Sequence, residues 1–147
     1  MVQTLILFAL SMFALSIASA KNEAKDSIPH EVELRVRESD IKIVRRASEI
    51  LSKPSSWNKK DNRECPEKAR TFSLYCALHK ASVDINGEYD HRLTALEEVR
   101  RVIEDVAKSK DYEHRLMGYN NDPTTSFADI QRILRTTEVR LLARFPK

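Results

Sequence analysis

The residues with the widest chemical repertoire lie in one short run. Residues 114–127 hold His114, Arg115, Tyr119, Asn120, Asn121 and Asp122, then Pro123, Thr124, Thr125, Ser126 and Phe127. Together they supply an imidazole, a guanidinium, a phenol, two amides, a carboxylate and three hydroxyls. The chemistry that suits this set is anion binding. A helix opened near Ser126 offers free backbone amides and the positive end of its dipole, and His114 and Arg115 add charge. His114, Arg115, Tyr119, Asn121 and Asp122 are therefore the candidate ligand-binding residues. A structural role competes with this one. Asp122-Pro123 favours a turn, Asn120, Asn121 and Asp122 can hydrogen-bond their own backbone, and Thr124, Thr125 and Ser126 can cap a following helix. On that view each residue from Asn120 to Ser126 has a local duty, which leaves His114, Arg115 and Tyr119 without one.

Catalytic patterns are sparse. Ser126, His114 and Asp122 have the residue types of a triad, but neither a nucleophile elbow nor an oxyanion glycine accompanies them. The four histidines, His30, His79, His91 and His114, lack the helix-registered spacing of a metal site. There is no phosphate-cradling glycine loop, and no catalytic residue, metal or cofactor is assigned. Asp90-His91-Arg92 and Glu113-His114-Arg115 echo each other.

Cys65 and Cys76 are the only cysteines. An even count in an exported chain allows a disulfide. If the helix that holds Cys76 began at Pro66, the two sulfurs would stand roughly 16 Å apart, too far to bridge. If it began near Thr71 or Ser73, Cys65 would lie in a loop able to fold back. Both arrangements are open at this point.

The elements that must position these groups are helical. With glycine only at 87 and 118, the tight turns of an all-β fold are not supported. A helix is predicted over residues 40–52, with Ser39 or Asp40 as its cap and Ile41, Val44, Ala47 and Leu51 on one face. Pro54 stops it. Residues 55–64 are polar loop apart from Trp57, which either folds back over the edge of the core or stacks on a ligand. A second helix lies between 66 and 86, apolar on nearly all sides around residues 72–78, and Asn86-Gly87 ends it. A third runs over 92–108, with Thr94 and Glu97 at capping-box spacing. The last runs over 126–144, with Ser126 and Asp129 as a second box and Phe127, Ile130, Leu134, Leu141 and Phe145 as its apolar face. The expected fold is all-α: a single helical domain of about four main helices over residues 39–147.

The first twenty residues are of another kind. Residues 2–20 carry no charge, and Ala18-Ser19-Ala20 precedes Lys21. This reads as a signal peptide, residues 1–20, cleaved after Ala20. The alternative is an uncleaved segment that anchors the chain in a membrane. Residues 21–38 read as a flexible or extended arm, in which Val32, Leu34 and Val36 alternate with charged residues. No later run is apolar enough for a stable membrane span. The expected location is therefore exported, periplasmic or secreted. The 147-residue chain has a net charge of +3, with acidic and basic residues interleaved. That pattern does not favour nucleic-acid binding.

Val44-Arg45-Arg46-Ala47, the lone Trp57, Tyr75-Cys76-Ala77-Leu78, Asn121-Asp122 and Thr125 to Ile130 occur here in that order. In this the chain resembles a family of small uncharacterised bacterial helical proteins. Their usual Trp-Asn-Asp turn is altered, with Asn120 at the tryptophan position and Tyr119 one place earlier. Members of that family are mostly not expected to be exported, and no established activity carries over. The sequence thus points to a non-enzymatic binding or interaction module, whose partner is a protein or a small anionic ligand. The alternative is an enzyme or a metal- or anion-binding protein with a polar site around His114, Arg115 and Asp122.

Overall fold

The computed structural model describes residues 35–146. The expected signal peptide and most of the expected N-terminal arm, with Val32 and Leu34, lie outside the described residues. Among those described there are five α-helices and no strand: α1 (Glu38–Ile50), α2 (Leu74–Asn86), α3 (Thr94–Val106), α4 (Arg115–Asn121) and α5 (Phe127–Arg144). A single 3-10 turn spans Pro54–Ser56. The fold is all-α, as expected, with one short helix more than the sequence pattern predicts.

Asp40 ties two helix starts together. Its Oδ2 accepts the Arg37 N–H at 2.8 Å, and its Oδ1 accepts the Ala95 N–H at 3.0 Å near the start of α3. One fully buried carboxylate thus caps both α1 and α3, meeting donors that a helix cannot satisfy internally. The box expected from Thr94 and Glu97 does not form. Thr94 is the first residue of α3 and is buried, while Glu97 pairs with Arg100 at 2.5 Å. Asp40 supplies the cap instead.

Helix α2 begins at Leu74 because Ser73 stops the extended segment before it. The Ser73 hydroxyl accepts the Cys76 N–H at 3.1 Å. Before that cap the chain is irregular, with a turn at Pro66–Ala69, and Phe72 forms an isolated parallel bridge with Trp57. The helix ends at Gly87, whose φ of 80° is the left-handed geometry that glycine adopts without strain. Its late start leaves Cys65 free to fold back. Cys65 and Cys76 stand at disulfide distance, with Cα atoms 5.3 Å apart.

Helix α5 starts with the expected box. Ser126 Oγ accepts the Asp129 N–H at 3.2 Å, and Asp129 Oδ2 accepts the Ser126 N–H at 2.9 Å. These bonds, those from Ser126 foremost, hold the Asp129 carboxyl below the usual carboxylate range. The buried face of α5 is Ile130, Ile133, Leu134, Thr137 and Leu141. Phe145 departs from the expected apolar face: it is the residue after the helix and is exposed.

Helix α1 packs on α2, α3 and α5, and α3 packs on α5, so the core is a shared apolar volume. Ile43, Val44, Leu51, Leu74, Leu78, Leu96 and Val99 are fully buried in it. Val36 joins this core. Of the described residues before α1, Val36 packs on the body while Arg35 and Arg37 are exposed, in keeping with the alternation of the sequence. Helix α4 lies against α2 and α3.

Candidate functional site

The run 114–127 is divided by the fold into two parts with different surroundings. Its second half is structural. Asn120 is fully buried at the end of α4. Its Oδ1 accepts the Trp57 indole N–H at 2.8 Å and the Leu74 N–H at 3.0 Å. Its Nδ2 donates to the carbonyls of Asn58 at 3.0 Å and Lys59 at 3.1 Å. Asn121 continues the pattern, accepting the Asp61 N–H at 2.7 Å and donating to the Asp61 carbonyl at 2.8 Å. The two amides pin the loop after the 3-10 turn onto α4. They do so from within a helix rather than from a turn, because long-range hydrogen bonds outweigh the local preference of asparagine.

Trp57 takes the structural one of its two expected roles. It packs on Phe127 with ring centroids 6.0 Å apart and donates its indole N–H to Asn120. Lys59 closes the same seam by donating to the carbonyls of Pro123 at 3.0 Å and Thr125 at 2.7 Å.

Asp122 is also engaged. Its carboxylate accepts from Lys110 at 2.7 Å, Tyr112 at 2.8 Å and the Thr124 hydroxyl at 2.6 Å, and from the Thr124 N–H at 2.8 Å. Lys110, then Thr124 and Tyr112, hold its carboxyl far below the usual carboxylate range. It stays anionic and is no proton acceptor near neutrality. Tyr119 is buried, with its ring edge-on to Tyr112 at 6.4 Å, and burial pushes its phenol up.

The first half of the run faces outward. His114 and Arg115 line a cleft of about 660 Å³ together with Arg63, Tyr75, Tyr89, His91, Arg100 and Tyr112. The cleft gathers cationic and imidazole groups from the loop before α2, the loop before α3, α3 itself and the start of α4, and the carboxylates of Asp111 and Glu113 also line it. Tyr75 and Tyr89 meet edge to face at 5.9 Å, and Tyr89 lies 4.5 Å from the His79 ring. Burial, and then the hydrogen bond with Tyr75, pushes the Tyr89 phenol up. Burial, and then the bond to Asp122, does the same at Tyr112. Both phenols therefore stay protonated near neutrality.

The echo between Asp90-His91-Arg92 and Glu113-His114-Arg115 has a spatial counterpart, since His91 and His114 line the same cleft. Each imidazole also has an acidic neighbour, Asp90 at 3.8 Å from His91 and Glu113 at 3.9 Å from His114. Arg115 pairs with Glu104 at 2.8 Å, and Arg100 donates to the His91 carbonyl at 2.9 Å as well as to Glu97. These contacts fix the guanidinium positions on the rim.

The lining of the cleft holds no serine, threonine or cysteine to act as a nucleophile. Ser126 is occupied by Asp129 and Asp122 by Lys110, so the nominal triad with His114 does not assemble. Among the described residues no group of three or more His, Cys, Asp or Glu side chains is placed to hold a metal ion. Tyr119, Asn121 and Asp122 lie outside the cleft lining, whereas His114 and Arg115 belong to it. Arg63, Tyr75, Tyr89, His91 and Arg100 join them. Apart from the Asp90/Glu113 echo, no local pattern marks these residues.

Among the described residues no helix is long and apolar enough to cross a membrane. No curated protein and no solved structure matches the chain. A family model does match, over residues 36–140, and by that match the chain belongs to a family of unknown function (DUF6197).

Proposed function

We propose that this protein is an exported, non-enzymatic helical module that holds a small anion in the cleft between the loop before α2 and the start of α4. One observation carries the reading: Arg63, Arg100 and Arg115 converge on that cleft with His91 and His114, over a wall of tyrosines, and outnumber the carboxylates of Asp111 and Glu113 in its lining. Guanidinium groups present planar forks of donors that match carboxylate and phosphate oxygens. The Tyr75–Tyr89 pair adds phenol hydroxyls beside them, while the Tyr112 hydroxyl is committed to Asp122. The size of the cleft is that of a small-ligand site.

The alternative, an enzyme built on His114, Arg115 and Asp122, has less support, because Asp122 is held by four donors away from the cleft. Export is supported by the bridged pair Cys65 and Cys76, a pairing typical of oxidising compartments. Isothermal titration calorimetry of the mature chain with inorganic phosphate, pyrophosphate and citrate tests the binding reading and separates phosphate from carboxylate recognition. Saturable one-to-one binding of at least one anion is expected, weakened in Arg115→Ala. No heat from any of the three at millimolar concentration refutes it. The export reading predicts an intact mass that begins at Lys21, and a retained residue 1–20 segment contradicts it.

A further inference from the structure

We infer that Arg63 is the residue that takes the anion, and that the Cys65–Cys76 bridge is its positioning device. The inference rests on the anion-binding reading above and adds a residue and a mechanism to it. Of the three cleft arginines, Arg100 and Arg115 each hold a carboxylate, from Glu97 and Glu104. Among the described residues the Arg63 guanidinium has no ion-pair partner. Glu64, its neighbour, is engaged with the Asn62 amide at 2.8 Å instead. Arg63 is therefore the cleft guanidinium with its full set of donors available to a ligand.

The backbone around it is held at a cost. Arg63 has a φ of 64°, the left-handed region, and it is the one non-glycine among the described residues to do so. A side chain in that geometry is strained and persists only where its surroundings impose it. Two features impose it. Asp61 Oδ1 accepts the Arg63 N–H at 2.7 Å, and Cys65, two residues on, is bonded to Cys76 in α2. Asp61 is buried, and its second oxygen has no hydrogen-bond partner. A buried carboxylate oxygen without a donor is unfavourable and calls for a reason. Strain at Arg63, an unsatisfied oxygen at Asp61 and a covalent tether at Cys65 fall within five consecutive residues, 61–65. The strain and the tether bear on where one free guanidinium points, while Asp61 itself lies outside the cleft lining. Such clustering is characteristic of backbone held for binding.

The experiment measures pyrophosphate and citrate binding by calorimetry in the wild type, Arg63→Gly, Cys65→Ala/Cys76→Ala and the combination of the two. Glycine relieves the left-handed strain, so Arg63→Gly is expected to melt at an unchanged or higher temperature while affinity falls at least tenfold. That separation is one that a purely structural role would not produce. The double cysteine variant, held well below its own melting temperature, is expected to bind more weakly. Adding Arg63→Gly to it should then cause little further loss, because the two changes act on one contact. Binding by Arg63→Gly within twofold of the wild type overturns the assignment of Arg63. Fully additive losses overturn the positioning role of the bridge. A wild type that binds neither of these anions nor phosphate refutes the anion reading and this inference together, a result distinct from either of the others.

Discussion

Replacing Asn120 by alanine removes five side-chain hydrogen bonds, four of them to the loop around Trp57 and to the start of α2. The Trp57 indole N–H at 2.8 Å and the Leu74 N–H at 3.0 Å lose their acceptor. The Asn58 and Lys59 carbonyls, at 3.0 and 3.1 Å, lose a donor. A buried donor or acceptor left unmet costs about 1–3 kcal/mol. Leu74 is fully buried and bears the full penalty, whereas Trp57, Asn58 and Lys59 are half-buried and regain part of theirs from water. The sum is about 3–4 kcal/mol. For a domain of this size that lowers the melting temperature by roughly 15 °C. An asparagine serving only an exposed turn would cost within about 0.5 kcal/mol. Thermal and urea unfolding followed by circular dichroism distinguish these outcomes. Trp57→Phe, which keeps an aromatic ring but removes the indole N–H and the volume of its second ring, should lose about 1–3 kcal/mol and be less than additive with Asn120→Ala. A loss below about 1 kcal/mol for Asn120→Ala would refute the assignment of Asn120 as the hub that joins the loop, α2 and α4.

Gly118→Ala would place a Cβ 2.7 Å from Tyr112 Cδ1, forcing that ring away from Asp122. A destabilisation of about 1–3 kcal/mol is expected in urea unfolding, and an unchanged midpoint would show that Tyr112 moves freely. Acid is expected to unfold the protein in a defined window. Asp122 and Asp129 have folded-state pKa values below their unfolded ones, so their stabilisation is complete above about pH 4 and is lost as pH falls through the lowered values. Asp122→Asn should flatten that decline in the urea midpoint, and an equal decline would remove Asp122 as its source. The Cys65–Cys76 bridge closes a sequence separation of 11, and its removal in Cys65→Ala/Cys76→Ala should cost about 3 kcal/mol by chain entropy. Reversible thermal melts check it, and a variant as stable as the wild type would mean that the loop is held by Asn120 and Asn121 alone.

Features that act over three or four residues were legible in the residues alone. The Ser126–Asp129 box, the stop at Gly87 and the apolar stripe of α1 join near neighbours, so their geometry follows from helical spacing. The all-α class is legible for the same reason. Asn120 was not legible, because an asparagine amide meets its own backbone and a distant one equally well. Only packing brings it to Trp57, 63 positions away. The cysteines were ambiguous because their distance depends on where α2 begins, and the Ser73 cap decides that. The short helix α4 is tied to the loop and to α2 by the bonds of Asn120 and Asn121. The cleft was half-visible: His114 and Arg115 stood out locally, but Arg63, His91 and Arg100 come from other elements. Asp122 went the other way, since Lys110 and Tyr112 draw it away from the cleft. The tertiary structure decided these points because a polar side chain's partner is set by which groups burial leaves within reach, and that is a property of the whole chain rather than of any run within it.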